Sequence, residues 1–308
     1  MHAVALVLRA TRRRTWADAE QARRRIAAPK REAPPPRRLG RRHRLAERVV
    51  DGFRVWTVHP RTPSGVAAVY VHGGAYVAGI APQHWTLVDA LAEAGVRVEV
   101  PLYGLAPPHT HRGARPFLRR VWAELADATD AELVLAGDSA GGGLALGLAQ
   151  ELVADGGRRP DRLVLLSPWL DLTLSHPRLP EFEAVDPWLA RPGLLEAARE
   201  WAGGDDPTIP ALSPGNGPLA GLPPTSVLVG GREIGYPDAV DLAEAAAAAG
   251  VEVDLTVAEG AVHVYPLVPA PEGAEGRRAV VAAVTGRPLE ETPVSGGGAR
   301  PRRGRRYR

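Results

Sequence analysis

The sequence contains no cysteine, which excludes disulfide bonds and cysteine-ligated metal sites. Lys30 is its only lysine, so no lysine-dependent phosphate loop or Schiff base can form elsewhere in the chain. No apolar run approaches the roughly 18 residues of a membrane-spanning helix. The N-terminus places its apolar residues before its arginines, which is the reverse of a secretory signal. These absences predict a cytoplasmic protein without a transmembrane segment.

The charge of the chain is distributed unevenly, although the net charge is only +3. Residues 1–48 contain 15 Arg and Lys against 4 Asp and Glu, and residues 300–308 contain six arginines without an acidic residue. The remainder is therefore strongly acidic. Arginine-rich ends can bind nucleic acid through phosphates, but these ends lack the interleaved aromatic residues of a stacking platform. We therefore expect no specific nucleic-acid partner.

Short β-branched runs alternate with longer helical patterns through most of the chain. The predicted strands are 53–59, 66–72, 96–101, 132–137, 161–167, 225–230 and 251–257. The predicted helices are 84–94, 113–128, 139–154, 238–249 and 273–284. Central strands that are apolar on both faces and alternate with helices are typical of a mostly parallel sheet. The sequence therefore predicts an α/β fold with helices on both faces of the sheet.

Two segments interrupt this alternation, and a third follows it. Residues 1–48 form a basic N-terminal segment that includes an amphipathic stretch, and about 177–222 is an insertion rich in proline, tryptophan and acid. A short helix is predicted at 192–202. Either segment can serve as a cap over the sheet. The end of the chain, 288–308, has the glycine- and arginine-rich composition of a flexible tail.

Ser139 is surrounded by glycines where a predicted strand turns into a helix. The residues Gly137-Asp138-Ser139-Ala140-Gly141 match G-x-S-x-G, in which a sharp turn exposes the serine hydroxyl. A glycine-rich phosphate loop is the alternative. However, Leu146 occupies the last position of a dinucleotide-binding fingerprint, and a Walker loop needs a lysine. The pattern therefore favours a serine nucleophile, with the glycines providing steric clearance.

A serine nucleophile needs a base, an orienting acid and donors for the oxyanion. His263 is the histidine that follows the last predicted strand, where a packed or surface histidine is the alternative. The segment HGGAY follows the apolar strand 66–72. The backbone N–H groups of Gly73 and Gly74, with that of Ala140, are candidate oxyanion donors. A simple strand-ending turn remains the other interpretation of this segment.

The motifs together resemble the hormone-sensitive-lipase-like branch of the α/β-hydrolases. HGGAY, GDSAGGGLA and the late HVYPL carry the resemblance, with YGLAPPHT, LSPWLDLT, DPWL and LSPGNGPLAGLPPT between them. It covers about residues 50–285, while the N-terminal 45 or so residues are similar only in kind to the family's helical cap. The resemblance implies an α/β-hydrolase fold with a catalytic domain over 49–287. It also implies a serine carboxylesterase without a cofactor, which acts on short- to medium-chain acyl esters.

The segment that should carry the triad acid departs from the family's pattern. The family normally has Asp after the seventh strand in D-x-L-x-D, and this chain reads GGREIGYPD there. Glu233 takes the place of the acid, and Ser139, Glu233 and His263 then follow the α/β-hydrolase order. Asp238 is the rival, although it is also suited to cap the next helix. Glu259 is a weaker rival.

Several further expectations accompany this assignment. Tyr76 and Trp188 are candidate substrate-binding residues, and Trp188 lies with Trp16 and Trp201 in the presumed cap segments. The pair His109 and His111 lacks a neighbouring third ligand, so we expect no metal site. The expected partner is a small-molecule ester, and the chain is compatible with a homodimer. A non-catalytic hydrolase-like binding protein and an amide or lactone hydrolase are the alternative functions.

Overall fold

The computed structural model describes residues 1–288 and the backbone of a short strand at 305–307. The strands are β1 (Arg44–Val50), β2 (Phe53–His59), β3 (Val66–Val71), β4 (Arg97–Pro101), β5 (Glu132–Asp138), β6 (Arg162–Leu166), β7 (Thr225–Gly230), β8 (Val253–Ala258) and β9 (Arg305–Tyr307). They form one sheet in the order β1-β2-β4-β3-β5-β6-β7-β8-β9. The predicted flexible tail otherwise falls outside the described residues.

The six strands from β4 to β8 in this order run parallel to one another, and antiparallel strands lie at the sheet edges. In β3, Val69 and Val71 contribute to one apolar core, while Ala68 and Tyr70 contribute to another on the opposite face. A strand whose two faces are both buried reads as a continuous apolar run. The bounds of the strands confirm all seven predicted strands within two residues of their predicted ends.

The strand β1 was missing from the sequence-based expectation and corrects the boundary of the N-terminal segment. It pairs with β2 from Arg44 to Val50, so the segment that precedes the sheet ends near His43 rather than at residue 48. Its positions are mostly exposed or half-buried, and they carry three charged side chains, Arg44, Glu47 and Arg48. Charged residues are common on edge strands, and here they interrupt the alternation of apolar and polar residues by which a strand is recognised.

Helices cover both faces of the sheet, as predicted. The helices are α1 (His2–Thr11), α2 (Arg13–Ala17), α3 (Ala19–Ala27), α4 (Arg37–Arg42), α5 (Pro82–Glu93), α6 (His111–Asp127), α7 (Ala140–Ala154), α8 (Leu179–Val185), α9 (Arg191–Ala202), α10 (Tyr236–Ala248) and α11 (Pro271–Thr285). The apolar sides of α6, α7 and α10 pack into one core, and those of α5 and α11 pack into the other. Among the described helices, none has the length and apolar character of a membrane span.

The N-terminal helices and the insertion form a common cap. The helices α2 and α3 both contact α9, and a Cβ added at Gly193 of α9 would lie 2.6 Å from the carbonyl oxygen of Trp16. The two backbones can approach this closely because Gly193 has no side chain. Arg23 of α3 also forms an ion pair with Glu196 of α9 at 2.9 Å. The two segments predicted as cap candidates therefore pack against each other, and together they are called the cap.

Candidate active site

Three of the predicted site residues meet where parallel strands end. Ser139 follows β5, Glu233 follows β7 and His263 follows β8, and the carboxyl ends of parallel strands lie at one edge of a sheet. The Nε2 atom of His263 lies 2.9 Å from the hydroxyl oxygen of Ser139. Its Nδ1 atom lies 2.6 Å from a carboxylate oxygen of Glu233. The fold therefore joins the three side chains into one hydrogen-bonded chain.

Ser139 lies in a strained turn between β5 and α7. Its φ angle of +52° is rare for a residue with a side chain. The two flanking glycines allow this turn. A Cβ at Gly137 would lie 2.3 Å from the carbonyl oxygen of Gly141, and a Cβ at Gly141 would lie 2.1 Å from that of Val71. The glycines provide steric clearance for a serine whose hydroxyl is presented at the sheet edge.

The carboxylate of Glu233 fixes the orientation of His263. Glu233 is fully buried, and its second oxygen accepts the N–H of Gly230 at 3.0 Å. A carboxylate can only accept, so Nδ1 of His263 carries the proton and Nε2 is free to accept from Ser139. Burial alone would lower the pKa of His263. The charge of Glu233 and its hydrogen bond outweigh burial, so that the pKa lies above the usual value.

Neither rival acid occupies the position beside His263, because Glu233 holds its Nδ1 atom. Asp238 is the third residue of α10, while Gly235 precedes that helix, so the expectation that Asp238 is its N-terminal cap was wrong. The turn at Gly235 starts the helix earlier than the sequence pattern indicated. Asp238 lines the cavity described below, and burial raises its pKa to about 6. Glu259 lies just after β8 and is also not this partner.

The candidate oxyanion donors require one correction. The N–H of Gly73 donates to the carboxylate of Asp138 at 2.9 Å, so it is not free to bind an oxyanion. Among the hydrogen bonds of the described residues, none uses the N–H of Gly74, Ala75 or Ala140. Gly74 and Ala75 have φ angles of +128° and +52°, which turn the backbone sharply beside Ser139. Ala75 therefore replaces Gly73 in the candidate set.

Asp138 organises this turn, a role that the sequence pattern did not indicate. Its buried carboxylate accepts the hydroxyl of Tyr70 at 2.6 Å and the N–H of Gly73, and His84 lies 3.4 Å away. Burial alone would raise its pKa, but His84 and these hydrogen bonds hold it below its usual value. The sequence signal for this role is the acidic residue directly before the serine in GDSAG. Asp138 thereby anchors the HGGA turn to the strand that carries Ser139.

A second buried carboxylate, Asp186, supports the loop that carries Glu233. It accepts the N–H groups of Trp188 at 2.7 Å and Leu189 at 2.8 Å, and its other oxygen accepts that of Ile234 at 2.9 Å. Burial raises its pKa. Because Ile234 follows Glu233 directly, Asp186 ties the insertion to the triad acid. The DPWL motif was the sequence signal for this residue.

The N-terminal cap reaches the same loop through Arg13. Its guanidinium donates to the carbonyl oxygens of Asp186 at 2.6 Å and Glu183 at 2.8 Å, and also to that of Leu189. These three carbonyls belong to the end of α8 and to the loop that leads from it to α9. Arg13 of α2 therefore fixes the backbone from which the Asp186 side chain extends toward the Glu233 loop.

We expect Asp186→Asn to destabilise the protein by about 1–3 kcal/mol and to lower kcat/KM. An amide offers only one acceptor oxygen, so either the N–H of Ile234 or those of the insertion lose their buried acceptor. The measurements are urea unfolding and ester hydrolysis. Asp206→Asn is the matched control, because exposed Asp206 accepts from Thr208 in a similar turn away from the triad. Equal losses in both variants would contradict the role of Asp186.

A cavity of about 630 Å³ opens onto Ser139 and His263. It is lined mainly by apolar side chains from α1, from the insertion and from the loop after His263. Trp188 lies on its wall, with its ring edge-to-face against His263 at 5.8 Å between centroids. Trp16 also contributes to the wall. The volume is in the range of small-molecule binding sites, and Trp188 is placed to contact what binds there.

Tyr76 does not line this cavity, so its assignment as a substrate contact is corrected. It is almost fully buried and stacks on Trp201 at 4.5 Å and on Trp169 at 5.4 Å between ring centroids. Trp201 belongs to α9, so the stack joins the HGGAY turn to the cap. The backbone at Tyr76 therefore directs its ring into the core and not into the cavity.

One group of potential metal ligands occurs among the described residues, consisting of His43, Asp89 and Glu93. Arg42 already donates to Asp89 at 2.9 Å and contacts Glu93 at 2.8 Å. The guanidinium thus supplies the positive charge that the two carboxylates need. We therefore interpret the group as an ion-pair network that joins α4 to α5. It lies outside the cavity that contains Ser139.

Comparison with known proteins agrees with the fold. Residues 68–267 match a family model described as the alpha/beta hydrolase fold. The chain belongs to this family. An acetyl-hydrolase of Streptomyces hygroscopicus is 33% identical over 238 residues, covering 73% of this chain and 76% of the relative. A triacylglycerol lipase of Mycobacterium tuberculosis is 31% identical over 221 residues, which cover 71% of this chain but 46% of that protein.

A solved structure supports the narrower branch within this α/β-hydrolase family. It is described as an esterase from the bacterial hormone-sensitive lipase family, and it is 30% identical with a TM-score of 0.72. The match covers 86% of this chain and 94% of that one. The resemblance to the hormone-sensitive-lipase-like hydrolases and the predicted fold class are thus confirmed.

Proposed function

We propose that the protein is a serine carboxylic-ester hydrolase that cleaves short- to medium-chain acyl esters. The observation that carries the proposal is the hydrogen-bonded chain from Ser139 through His263 to buried Glu233, at the side of an apolar cavity. Similar proteins named acetyl-hydrolase and esterase support ester cleavage over other hydrolase chemistry. The triad and the acyl length are parts of this proposal.

In the first half of the reaction, Ser139 attacks the ester carbonyl carbon while His263 takes the hydroxyl proton at Nε2. Glu233 holds the Nδ1 proton and stabilises the imidazolium that forms. The carbonyl oxygen becomes an oxyanion, for which the N–H groups of Gly74, Ala75 and Ala140 are the donors. The carbon–oxygen bond then breaks, and His263 returns its proton to the departing alcohol.

In the second half, water cleaves the acyl-enzyme. His263, now neutral again, takes a proton from the water molecule as it attacks the acyl carbon. The same three N–H groups receive the second oxyanion. When this intermediate breaks down, Ser139 leaves as the alcohol and takes the proton from His263. The carboxylic acid is released, and no cofactor enters the balance.

A fluorophosphonate probe and a series of p-nitrophenyl esters from acetate to palmitate test the proposal. We expect covalent labelling at Ser139 and the highest kcat/KM on short to medium chains, which the cavity can enclose. An optimum at palmitate would contradict the acyl length. Absence of both labelling and hydrolysis would favour a non-catalytic binding protein. Labelling combined with cleavage of anilides or lactones, but not of these esters, would favour the amide or lactone alternative.

A further inference from the structure

The helix α1 exposes apolar side chains on the outer surface of the cap. Leu6 is 70% exposed and its neighbour Val7 is 60% exposed. Among the described residues, Val49 and Val185 are the other exposed large apolar side chains. Single exposed apolar residues are ordinary, whereas two adjacent ones on a short helix form a small apolar surface. This surface, formed by Leu6 and Val7, is called the outer face of α1 below.

The opposite face of α1 closes the cavity. Val4 and Leu8 are half-buried and line it, and the exposed side chain of Val7 also reaches it. Ala5 is buried against Val262 and Val268, which flank the loop that carries His263. A helix that is apolar on all sides is normally buried. In α1 only one side is covered by protein, so its outer face lacks the partner that its composition requires.

Positive side chains without an ion-pair partner lie at the end of α1 and just after it. Arg9, Arg12 and Arg14 are exposed, and none of them forms an ion pair with another described residue. Other arginines of the cap are paired, including Arg23 with Glu196 and Arg24 with Glu20. Exposed apolar side chains beside unpaired arginines are the composition of helices that lie in the interface of an anionic lipid layer.

The dimensions of α1 suit a position along a surface. Its 10 residues correspond to a length of about 15 Å, which is roughly half the hydrocarbon thickness of a bilayer. The amino group of Met1 is held by Glu272 of α11 at 2.5 Å, so the start of the helix is tied to the body of the protein. The outer face can therefore enter a lipid surface while the inner face still borders the cavity.

We propose that the outer face of α1 docks on the surface of an anionic lipid bilayer, with Arg9, Arg12 and Arg14 contacting lipid phosphates. Docking would bring the cavity entrance, which α1 borders, next to the acyl chains of the layer. An ester dissolved in the lipid can then enter the cavity without crossing water. The docking stands independently of the catalytic assignment, whereas delivery of an ester rests on the proposed function.

Co-flotation with phosphatidylglycerol–phosphatidylcholine vesicles, compared with phosphatidylcholine vesicles, measures the docking. We expect wild type to bind the anionic vesicles and to bind neutral vesicles much more weakly. Leu6→Glu is expected to weaken binding at least about tenfold, because it places a carboxylate in the lipid interface. The double change Arg9→Gln and Arg14→Gln removes two contacts that are each worth about fivefold. Val49→Glu is the matched control on the edge strand β1 and is expected to bind as wild type does.

Hydrolysis of a water-soluble ester without lipid is measured in parallel. Leu6, Arg9 and Arg14 do not line the cavity, so their variants are expected to keep this activity, which also shows that they fold. Absence of vesicle binding by wild type, or equal binding by Leu6→Glu, would overturn the docking. Equal binding to neutral vesicles would overturn the role of the arginines. Vesicle binding without any hydrolysis would instead count against the proposed function alone.

A second copy of the chain is the other occupant that the outer face can accept. Light scattering of wild type and Leu6→Glu distinguishes the two. A dimer that Leu6→Glu dissociates, with no binding to anionic vesicles, would assign the outer face to contacts between copies and reject the lipid proposal. A particle mass that is the same in both proteins, together with vesicle binding that depends on Leu6, is the result that we expect.

Discussion

Ser139→Ala is expected to lower kcat for ester hydrolysis by about 10⁶-fold, while KM changes little. The hydroxyl of Ser139 is the group that lies 2.9 Å from Nε2 of His263, and alanine leaves the imidazole with nothing to deprotonate. The strained φ of +52° remains at this position, because alanine has the same backbone restriction as serine. The loss should therefore arise from the missing nucleophile rather than from a changed fold.

Steady-state rates on a short p-nitrophenyl ester and labelling by a fluorophosphonate measure this prediction. Ser64→Ala is a matched control, because Ser64 donates to the carbonyl oxygen of Gly95 before β3, at the opposite end of that strand from the HGGA turn. We expect the control to keep wild-type rates and labelling. If Ser139→Ala retained more than about one per cent of wild-type kcat, Ser139 would not be the nucleophile, since loss of a nucleophile costs far more.

The sequence predicted the central sheet and the residues at its edge because these features depend on local patterns. Strands that are buried on both faces are recognisable as apolar runs. The turn around Ser139 requires glycines, because a side chain at these positions would clash with neighbouring carbonyl groups. By contrast, β1 has charged side chains at three of its seven positions and therefore resembles a loop. The start of α10 shifted from Asp238 to Tyr236 because helix ends depend on the preceding turn.

The corrections at the site have a common physical origin. Whether an N–H is free depends on which acceptor lies opposite, and the sequence does not reveal that Asp138 takes the N–H of Gly73. In the same way, the ring of Tyr76 turns toward Trp201 because its backbone has a φ of +63°. Long-range partners such as Arg13 and Asp186 lie 173 residues apart in the chain. Such contacts follow from tertiary packing and leave no local pattern.

Glu233→Gln is expected to lower kcat by about 10⁴-fold, which is the largest predicted effect after that of Ser139→Ala. The amide can present a donor to Nδ1 of His263, which favours the wrong tautomer and removes the charge that stabilises the imidazolium. Glu233 is fully buried, so no water molecule can easily replace its carboxylate. Asp238→Asn is the matched control. Since Asp238 makes no hydrogen bond to His263, we expect its variant to stay within about fivefold of wild type at neutral pH.

The pH profile separates the role of Glu233 from a general loss of structure. His263 acts as a base only when neutral, and its pKa lies above the usual value in the protein, so kcat/KM should fall as pH decreases through that raised pKa. In Glu233→Gln, burial still lowers the pKa of His263, but the opposing carboxylate charge is gone. The acidic limb should therefore move to lower pH while the plateau falls. If the acidic limb of Glu233→Gln did not move and its plateau stayed near normal, another acid would have to orient His263. A large loss of kcat/KM in Asp238→Asn would identify that acid as Asp238.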